Sequence, residues 1–185
     1  MDKLDNYDRK LLAELQRDGA LSVEGLAERI GLSKTPCWRR IVRLRERGVI
    51  ARTVTLLDPA AVGLGTTLFV HIKVEKHDAD LFRRIDQALC LMPEVLEAHL
   101  MLGEADYLVR VAVPDVAAFE RFMTDKLHRL PGIKETRSSL SARLVKHTTE
   151  LPLGQLAAGD SASARPRKRT PRGQGLNRQQ GRQPR

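Results

Sequence analysis

The sequence of 185 residues lacks the features of several protein classes. It has two cysteines, Cys37 and Cys90, and neither stands in a CxxC or a Cys/His cluster. A disulfide framework and a structural zinc site therefore both lack their ligands, and a reducing compartment is expected. No apolar run approaches the roughly 18 residues needed to cross a bilayer. The opening Met1-Asp2-Lys3-Leu4-Asp5 is polar and acidic, unlike the apolar segment of a signal peptide. The expectation is a soluble, cytoplasmic chain with no membrane partner. Catalytic signatures are missing as well. The five histidines, His71, His77, His99, His128 and His147, show no HExxH spacing, and neither a Gly-rich phosphate loop nor a GxSxG elbow occurs. Neither an enzyme, nor a metal site, nor a bound cofactor is expected.

What the chain does have is positive charge. Its 32 Lys+Arg against 23 Asp+Glu give a formal net charge of +9, which points to an anionic partner, nucleic acid first and an acidic membrane surface second. The charge is unevenly placed. Residues 1–57 hold 12 basic and 8 acidic side chains (+4), residues 58–150 hold 12 and 14 (−2), and residues 151–185 hold 8 and 1 (+7). From Gly154 onward the sequence is Gly, Ser, Ala, Pro, Gln and Arg with almost nothing apolar, too little to offset the entropy of ordering it. Residues 151–185 are therefore expected to form a disordered basic tail, attracted weakly and salt-sensitively to phosphates.

The first 50 residues read as three helices. Leu11, Leu12 and Leu15 lie at helical spacing in 5–17, with Asp5 as N-cap and Gly19 where a left-handed residue would close the helix. Ser22 caps a second helix that presents Val23, Leu26, Ala27 and Ile30 on one face and stops at Gly31. The Gly31-Leu32-Ser33 turn leads to a third helix, about 34–47, closed by Gly48. Two short helices joined by a Gly-containing turn form a helix-turn-helix, although a generic small bundle would read the same way to this point.

The third helix separates the two readings. At 100° per residue, Ile41 and Leu44 fall within about 40° of Cys37, while Pro36, Arg39, Arg40, Arg43 and Arg47 occupy an arc of roughly 200–300°. The arc has no carboxylate, whereas an ordinary solvated face mixes signs. Arginine suits both guanine edges and phosphates. Ser33, Lys34 and Thr35 sit at the helix N-terminus, where unpaired N–H groups favour a phosphate. The expected DNA-binding set is Ser33, Lys34, Thr35, Pro36, Arg39, Arg40, Arg43 and Arg47. Trp38, near 100° on the same wheel, is expected to pack against the first helix or the following strand, and Cys37 to be a small buried hydrophobe.

The β-branched run 49–57 reads as a strand leaving the DNA-binding unit, with 51–62 as linker. From Gly63 the periods alternate cleanly: strand 66–75, helix 78–91, strand 95–102, strand 107–113, helix 115–129, strand 133–146. This is βαββαβ, four antiparallel strands with both helices on one face, and a dimer commonly buries the other face. His71 and His99 fall within strands, where a packed or hydrogen-bonded imidazole is expected. The Gly103-Glu104-Ala105-Asp106 reversal is either a plain hairpin turn or a place where backbone N–H groups and Asp106 meet a small molecule.

Leu4-Asp5, Asp8, Leu11-Leu12, Leu15-Gln16, Leu26-Ala27, Gly31-Leu32-Ser33-x-Thr35-Pro36-Cys37, Arg40, Leu44 and Gly48-Val49-Ile50 together resemble the DNA-binding domain of the Lrp/AsnC bacterial transcriptional regulators. Gly103-x-x-Asp106-Tyr107 and Leu130-Pro131-Gly132-Ile133 resemble the second domain of the same family, and the likeness covers about residues 2–150. It implies an α+β protein. An N-terminal (winged) helix-turn-helix domain (1–50) is joined by a linker strand (51–62) to a βαββαβ ferredoxin-like domain for effector binding and oligomerisation (63–150), with the tail (151–185) outside the pattern. It also implies double-stranded DNA as a partner, nucleoid association, a homodimer that assembles further into an oligomer such as an octamer, and a small amino acid or related metabolite as effector. Carried over by motif, the effector site is Gly103, Glu104, Ala105, Asp106 and Tyr107, with Arg137, Ser138 and Ser139 on the last strand. Thr35-Pro36-Cys37-Trp38-Arg39-Arg40 and Leu56-Leu57-Asp58-Pro59 with Gly63-Leu64-Gly65 are similar to a subgroup of cysteine-responsive regulators, and branched-chain keto acid regulators share part of that pattern.

The leading expectation is thus a sequence-specific transcriptional regulator gated by an amino acid. Two alternatives stand beside it. One is an architectural DNA-compacting protein driven by the basic tail and acting without an effector. The other is a metabolite-binding regulator of enzymes with no DNA role, against which the arginine arc argues.

Overall fold

A computed structural model of the chain describes residues 3–155. The expected tail from 156 onward lies outside the described residues. Three helices come first, α1 (Asn6–Arg17), α2 (Val23–Ile30) and α3 (Lys34–Glu46), followed by β1 (Thr66–Val74), α4 (Ala79–Leu91), β2 (Val95–Leu100), β3 (Tyr107–Val113), α5 (Val116–Asp125), a short 3-10 turn Leu127–Arg129, and β4 (Ile133–Leu140). The helix-turn-helix and the βαββαβ order are both present.

Capping residues set the starts of the helices. Asp5 accepts from the Asp8 amide at 2.8 Å while Asp8 accepts from the Asp5 amide at 3.2 Å, a reciprocal pair that satisfies two otherwise orphaned donors. Ser22 accepts from the Gly25 amide at 3.1 Å to start α2. Gly31 ends α2 at φ 72°, in the left-handed region that a glycine enters without penalty. Gly19 does not take the left-handed role expected of it. Asp18 ends α1 in an extended conformation, and a Cβ on Gly19 would lie 3.0 Å from the Thr53 methyl. What position 19 supplies is room for the linker to pass.

The three helices close on Leu11, Leu12, Leu26, Ala27, Ile30, Cys37, Ile41 and Leu44. Cys37 is fully buried, and burial pushes its thiol pKa up, so it serves as a small apolar residue. No strand lies between α3 and β1 among the described residues, so the expected wing is not formed there. Residues 51–58 also belong to no strand, because a ladder needs a second strand and none of the described residues offers one there.

The second core lies between one face of the sheet and α4 with α5. The strand order is β2-β3-β1-β4, antiparallel throughout. Alternation sends Leu68, Val70, Ile72 and Val74 of β1 and Tyr107, Val109, Val111 and Val113 of β3 to the helix side, where they meet Leu81, Ile85, Leu89, Phe119, Phe122, Met123 and Leu127. The opposite face carries Phe69, His71, Lys73, Arg110, Arg137 and Ser139 and has no layer over it. β4 ends at Leu140, short of the expected 146, since the Ser141 amide donates to Thr67 O at the very end of β1's reach.

The chain beyond β4 returns to the first domain. The Leu151 amide donates to Gln16 Oε1 at 2.7 Å, Gln16 Nε2 donates to Leu151 O at 3.3 Å, and Leu153 packs against the helical core. Residues 151–155, expected to begin the tail, are therefore docked on α1. The two leucines before Gly154 supply the apolar surface that the rest of the tail lacks.

Gly132 stands at φ 81°, and a Cβ there would come within 2.6 Å of the Leu81 side chain. Gly132→Ala is expected to destabilise the second domain by about 1–3 kcal/mol through backbone strain and overpacking, read from urea unfolding of the full chain.

Candidate functional sites

On α3 the arginine arc divides into two groups. Asp8, 1% exposed, accepts from Arg40 Nη1 at 2.8 Å and from Arg43 Nη2 at 2.7 Å, and Asp5 accepts from Arg40 Nη1 at 2.5 Å. Burial works to raise the Asp5 pKa, but the Asp8 amide and Arg40 outweigh it and hold the carboxyl below its ordinary range. Arg40 also lies over the Tyr7 ring at 5.4 Å. These two arginines tie α3 to α1, and the carboxylates missing from the arc itself come from a different helix.

The rest of the expected set is placed differently. Thr35, Pro36 and Arg39 are exposed, and Arg39 makes no ion pair among the described residues. Lys34 pairs with Glu24 of α2. Ser33 occupies the N-cap without a side-chain cap bond, leaving its hydroxyl and the first amides of α3 facing outward. Arg47 is the C-cap residue at the far end of the helix, away from that N-terminus. Trp38 departs from expectation. Its side chain is 49% exposed and is not part of the helical core. At about 100° from Cys37 a residue sits on the boundary between core and solvent, and here α1 and the linker leave that flank open.

The second site is a cavity of about 430 Å3 on the uncovered face of the sheet. Its floor is His71 and Lys73 of β1 with Glu135, Arg137 and Ser139 of β4, and its rim is Met101, Leu102, Gly103, Glu104 and Ala105. Of the expected effector residues, Gly103, Glu104, Ala105, Arg137 and Ser139 meet there, and three do not. Ser138 pairs with Val70 and so shares the opposite, helix-side face. Asp106 turns inward, accepting from the Val74 amide at 2.8 Å and contacting His77 Nε2 at 2.7 Å. Tyr107 is buried, with its hydroxyl donating to Asp86 at 2.7 Å and its ring 5.9 Å from Phe82. Burial, and then Asp86, raise its pKa far above the ordinary value. Asp106 and Tyr107 therefore fix the loop that rims the cavity and do not line it. His71, expected to be packed, is exposed on the floor instead. Strand alternation alone places positions 71 and 73 opposite the apolar 70 and 72, which was the signal that could have found them. No group of three His, Cys, Asp or Glu able to hold a metal occurs among the described residues.

With both geometries in place, comparison with known proteins is direct. Residues 4–45 match the AsnC-type helix-turn-helix domain and residues 67–151 match the Lrp/AsnC ligand binding domain. The chain belongs to the Lrp/AsnC family. It is 43% identical over 150 residues to the DNA-binding transcriptional activator DecR of Escherichia coli K12, covering 81% of this chain and 99% of that protein. It is 37% identical over 148 residues to the leucine-responsive regulatory protein of the same organism, covering 80% and 90%. Among solved structures, the Neisseria meningitidis regulator NMB0573 in complex with L-Met superimposes with a TM-score of 0.80 at 35% identity, covering 83% of this chain and 99% of that one. An AsnC family regulator from Agrobacterium tumefaciens gives 0.79 at 43%, covering 82% and 99%. This Lrp/AsnC chain is a DNA-binding transcriptional regulator, not an enzyme, with a ligand-binding domain of α+β fold.

Two predictions concern the groups that hold the sites. Removing the Asp8 carboxylate breaks a buried pair and half of a capping box. Asp8→Ala is expected to lower stability by about 3 kcal/mol, the low end for such a loss because Arg43 can turn out to water; Arg40→Ala is likewise expected to lower the unfolding midpoint as well as any DNA affinity. At Asp106, burial acts to raise the pKa, but the Val74 amide and His77 bring it below the ordinary 3.8. A depressed carboxyl contributes stability that is present above its unfolded value and is lost as pH falls through the folded one. The Asp106→Asn variant is therefore expected to show a shallower loss of urea resistance below pH 3.8 than the parent.

Proposed function

We propose that this Lrp/AsnC regulator binds an α-amino acid with a small apolar or sulfur-bearing side chain, cysteine included, in the cavity between β1, β4 and the 101–105 loop. Binding there alters its assembly or its affinity for operator DNA. The cavity carries the reading, because it sets charges of both signs against an apolar wall. Arg137 and Lys73 suit an α-carboxylate, Glu104 and Glu135 suit an α-ammonium, and Met101 and Leu102 suit the side chain. Arg137 Nε now donates to Glu135 at 2.7 Å on an exposed surface, a pair that a carboxylate can exchange at small cost. Support by likeness comes from NMB0573, which was solved with L-Met.

On the DNA side, the reading is that the N-terminal half of α3 enters the major groove, with Ser33 and Lys34 on phosphates and Thr35, Pro36 and Arg39 at the bases. Arg43, 48% exposed beyond its pair with Asp8, and Arg47 are assigned to phosphates, and Arg40 acts by positioning α3. The uncovered sheet face, with Phe69 at its centre flanked by Arg110 and Ser139, is the surface through which two copies form a homodimer and then a higher oligomer such as an octamer. In such a dimer the cavity lies in a cleft between protomers. A cytoplasmic, nucleoid-associated location accords with this role.

Thermal-shift and calorimetric titration of the full chain with a panel of L-amino acids, and their D-isomers as controls, tests the effector assignment. One apolar or sulfur-bearing L-amino acid is expected to raise the melting temperature. Arg137→Ala is expected to weaken its binding by roughly ten- to a hundredfold, the worth of a charged hydrogen bond. No response to any member of the panel would sink the assignment.

A further inference from the structure

The chain has a single tryptophan, and it stands half exposed on the helix that the family uses to read DNA. Indoles are the largest apolar side chains, and leaving one in water forgoes the stabilisation that burial gives. The fold covers only about half of this residue. Trp38 is outside the core made by Cys37, Ile41 and Leu44, and it has no ring contact among the described residues. Its neighbours on α3 identify what covers it. Arg39 is exposed beside it, Lys34 and Arg45 lie within about 40° of it around the helix, and all three are cationic. The surface around the ring therefore suits an anion, whereas the ring itself suits something apolar and flat. The DNA major groove offers both, phosphates along its rims and the thymine 5-methyl group among the base edges of its floor.

The rest of α3 narrows the choice of base-reading side chains. Arg40 and Arg43 are held by Asp5 and Asp8 and Lys34 by Glu24, which leaves Thr35, Pro36, Trp38 and Arg39 as the exposed residues of the first two turns without an ion-pair partner. In helix-turn-helix proteins the N-terminal residues of the second helix meet base edges. We propose that Trp38 is a specificity-determining residue, its indole packing against a thymine 5-methyl in the major groove while Arg39 supplies the adjacent hydrogen-bond readout. This rests on the placement of α3 in the groove, and the experiment separates the two ideas.

The full-length protein is used to select its binding sequence from a random duplex pool. Each thymine of the selected duplex is then replaced in turn by uracil, which removes only the 5-methyl group. The parent protein is expected to lose about fourfold in affinity at one thymine in each half-site, the worth of one buried methyl group. In Trp38→Ala that ratio is expected to fall to one, and in Trp38→Phe to lie between. Because the ring is outside the core, the melting temperature of both variants is expected to match the parent. The proposal is overturned if Trp38→Ala keeps the uracil penalty, if no thymine is sensitive, or if the variant weakens all duplexes equally with a lowered melting temperature, the sign of a structural residue. Failure of the groove placement itself has a different signature, in which Arg39→Ala selects the same sequence with the same affinity as the parent.

Discussion

The carboxylate of Asp8, almost without exposure, accepts from Arg40 and Arg43 on α3 and from the amide of Asp5, the N-cap of its own helix. A buried charge is tolerable only with such partners, since alone it would cost several kcal/mol. The arrangement has three consequences at once. It caps α1, holds α3 against α1, and engages two arginines of α3, Arg40 more fully than the half-exposed Arg43. Replacing the triad by apolar residues would cost little stability, but it would remove the constraint that points the first turns of α3 outward. What is left exposed on those turns is small, apolar or singly charged.

In the second domain the controlling constraint is the period of two along β1. Leu68, Val70, Ile72 and Val74 are consumed by the helix-side core, so His71 and Lys73 have to face the other way. β4, hydrogen-bonded alongside, brings Glu135 and Arg137 to the same face by its register with Lys73 and His71. The rim is held by residues that never touch the cavity. Asp106 binds the Val74 amide, and Tyr107 anchors to Asp86 and Phe82 beneath the sheet. A Gly-x-x-Asp-Tyr motif thus works as a fastening, with the two marked residues on the inner side and the preceding Gly103, Glu104 and Ala105 on the outer.

This explains which parts of the molecule could be read from the sequence. Caps at Asp5 and Ser22, the stop at Gly31 and the alternation in β1 and β3 are local patterns, and local patterns survive folding. The outward placement of Pro36 and Arg39 follows from the helical wheel, and that of Lys34 and Thr35 from their place at the helix N-terminus. The pairs from Asp8 to Arg40 and Arg43 span 32 and 35 residues, a separation at which no periodicity reports. Trp38 was misplaced because its angle lies at the edge of the apolar arc, where the neighbouring elements and not the wheel decide. Residues 51–58 carry β-branched side chains suited to a strand, but propensity cannot supply the second strand that a ladder requires. Asp106 and Tyr107 mark the motif, but their turn to the inner side depends on hydrogen bonds to Val74 and Asp86 that no local pattern reports.

The two domains are joined twice, and the second joint has a magnitude that matters. Besides the linker, the chain after β4 returns to α1 through two hydrogen bonds between Gln16 and Leu151, an exposed contact of 3.9 Å between Arg17 and Glu150, and the side chain of Leu153. Each hydrogen bond is worth about 1 kcal/mol net, the exposed ion pair less, and a half-buried leucine about 1 more. The total, about 3 kcal/mol, stands at the upper end of the coupling energies by which one ligand alters another's affinity. A much tighter joint would lock the helix-turn-helix to the sheet, and a much weaker one would leave the two independent. Because β4 both floors the cavity and leads into this joint, a ligand that prefers one position of β4 would act through residues 141–150 and these non-covalent contacts on the helix that holds Asp8, and through Asp8 on α3.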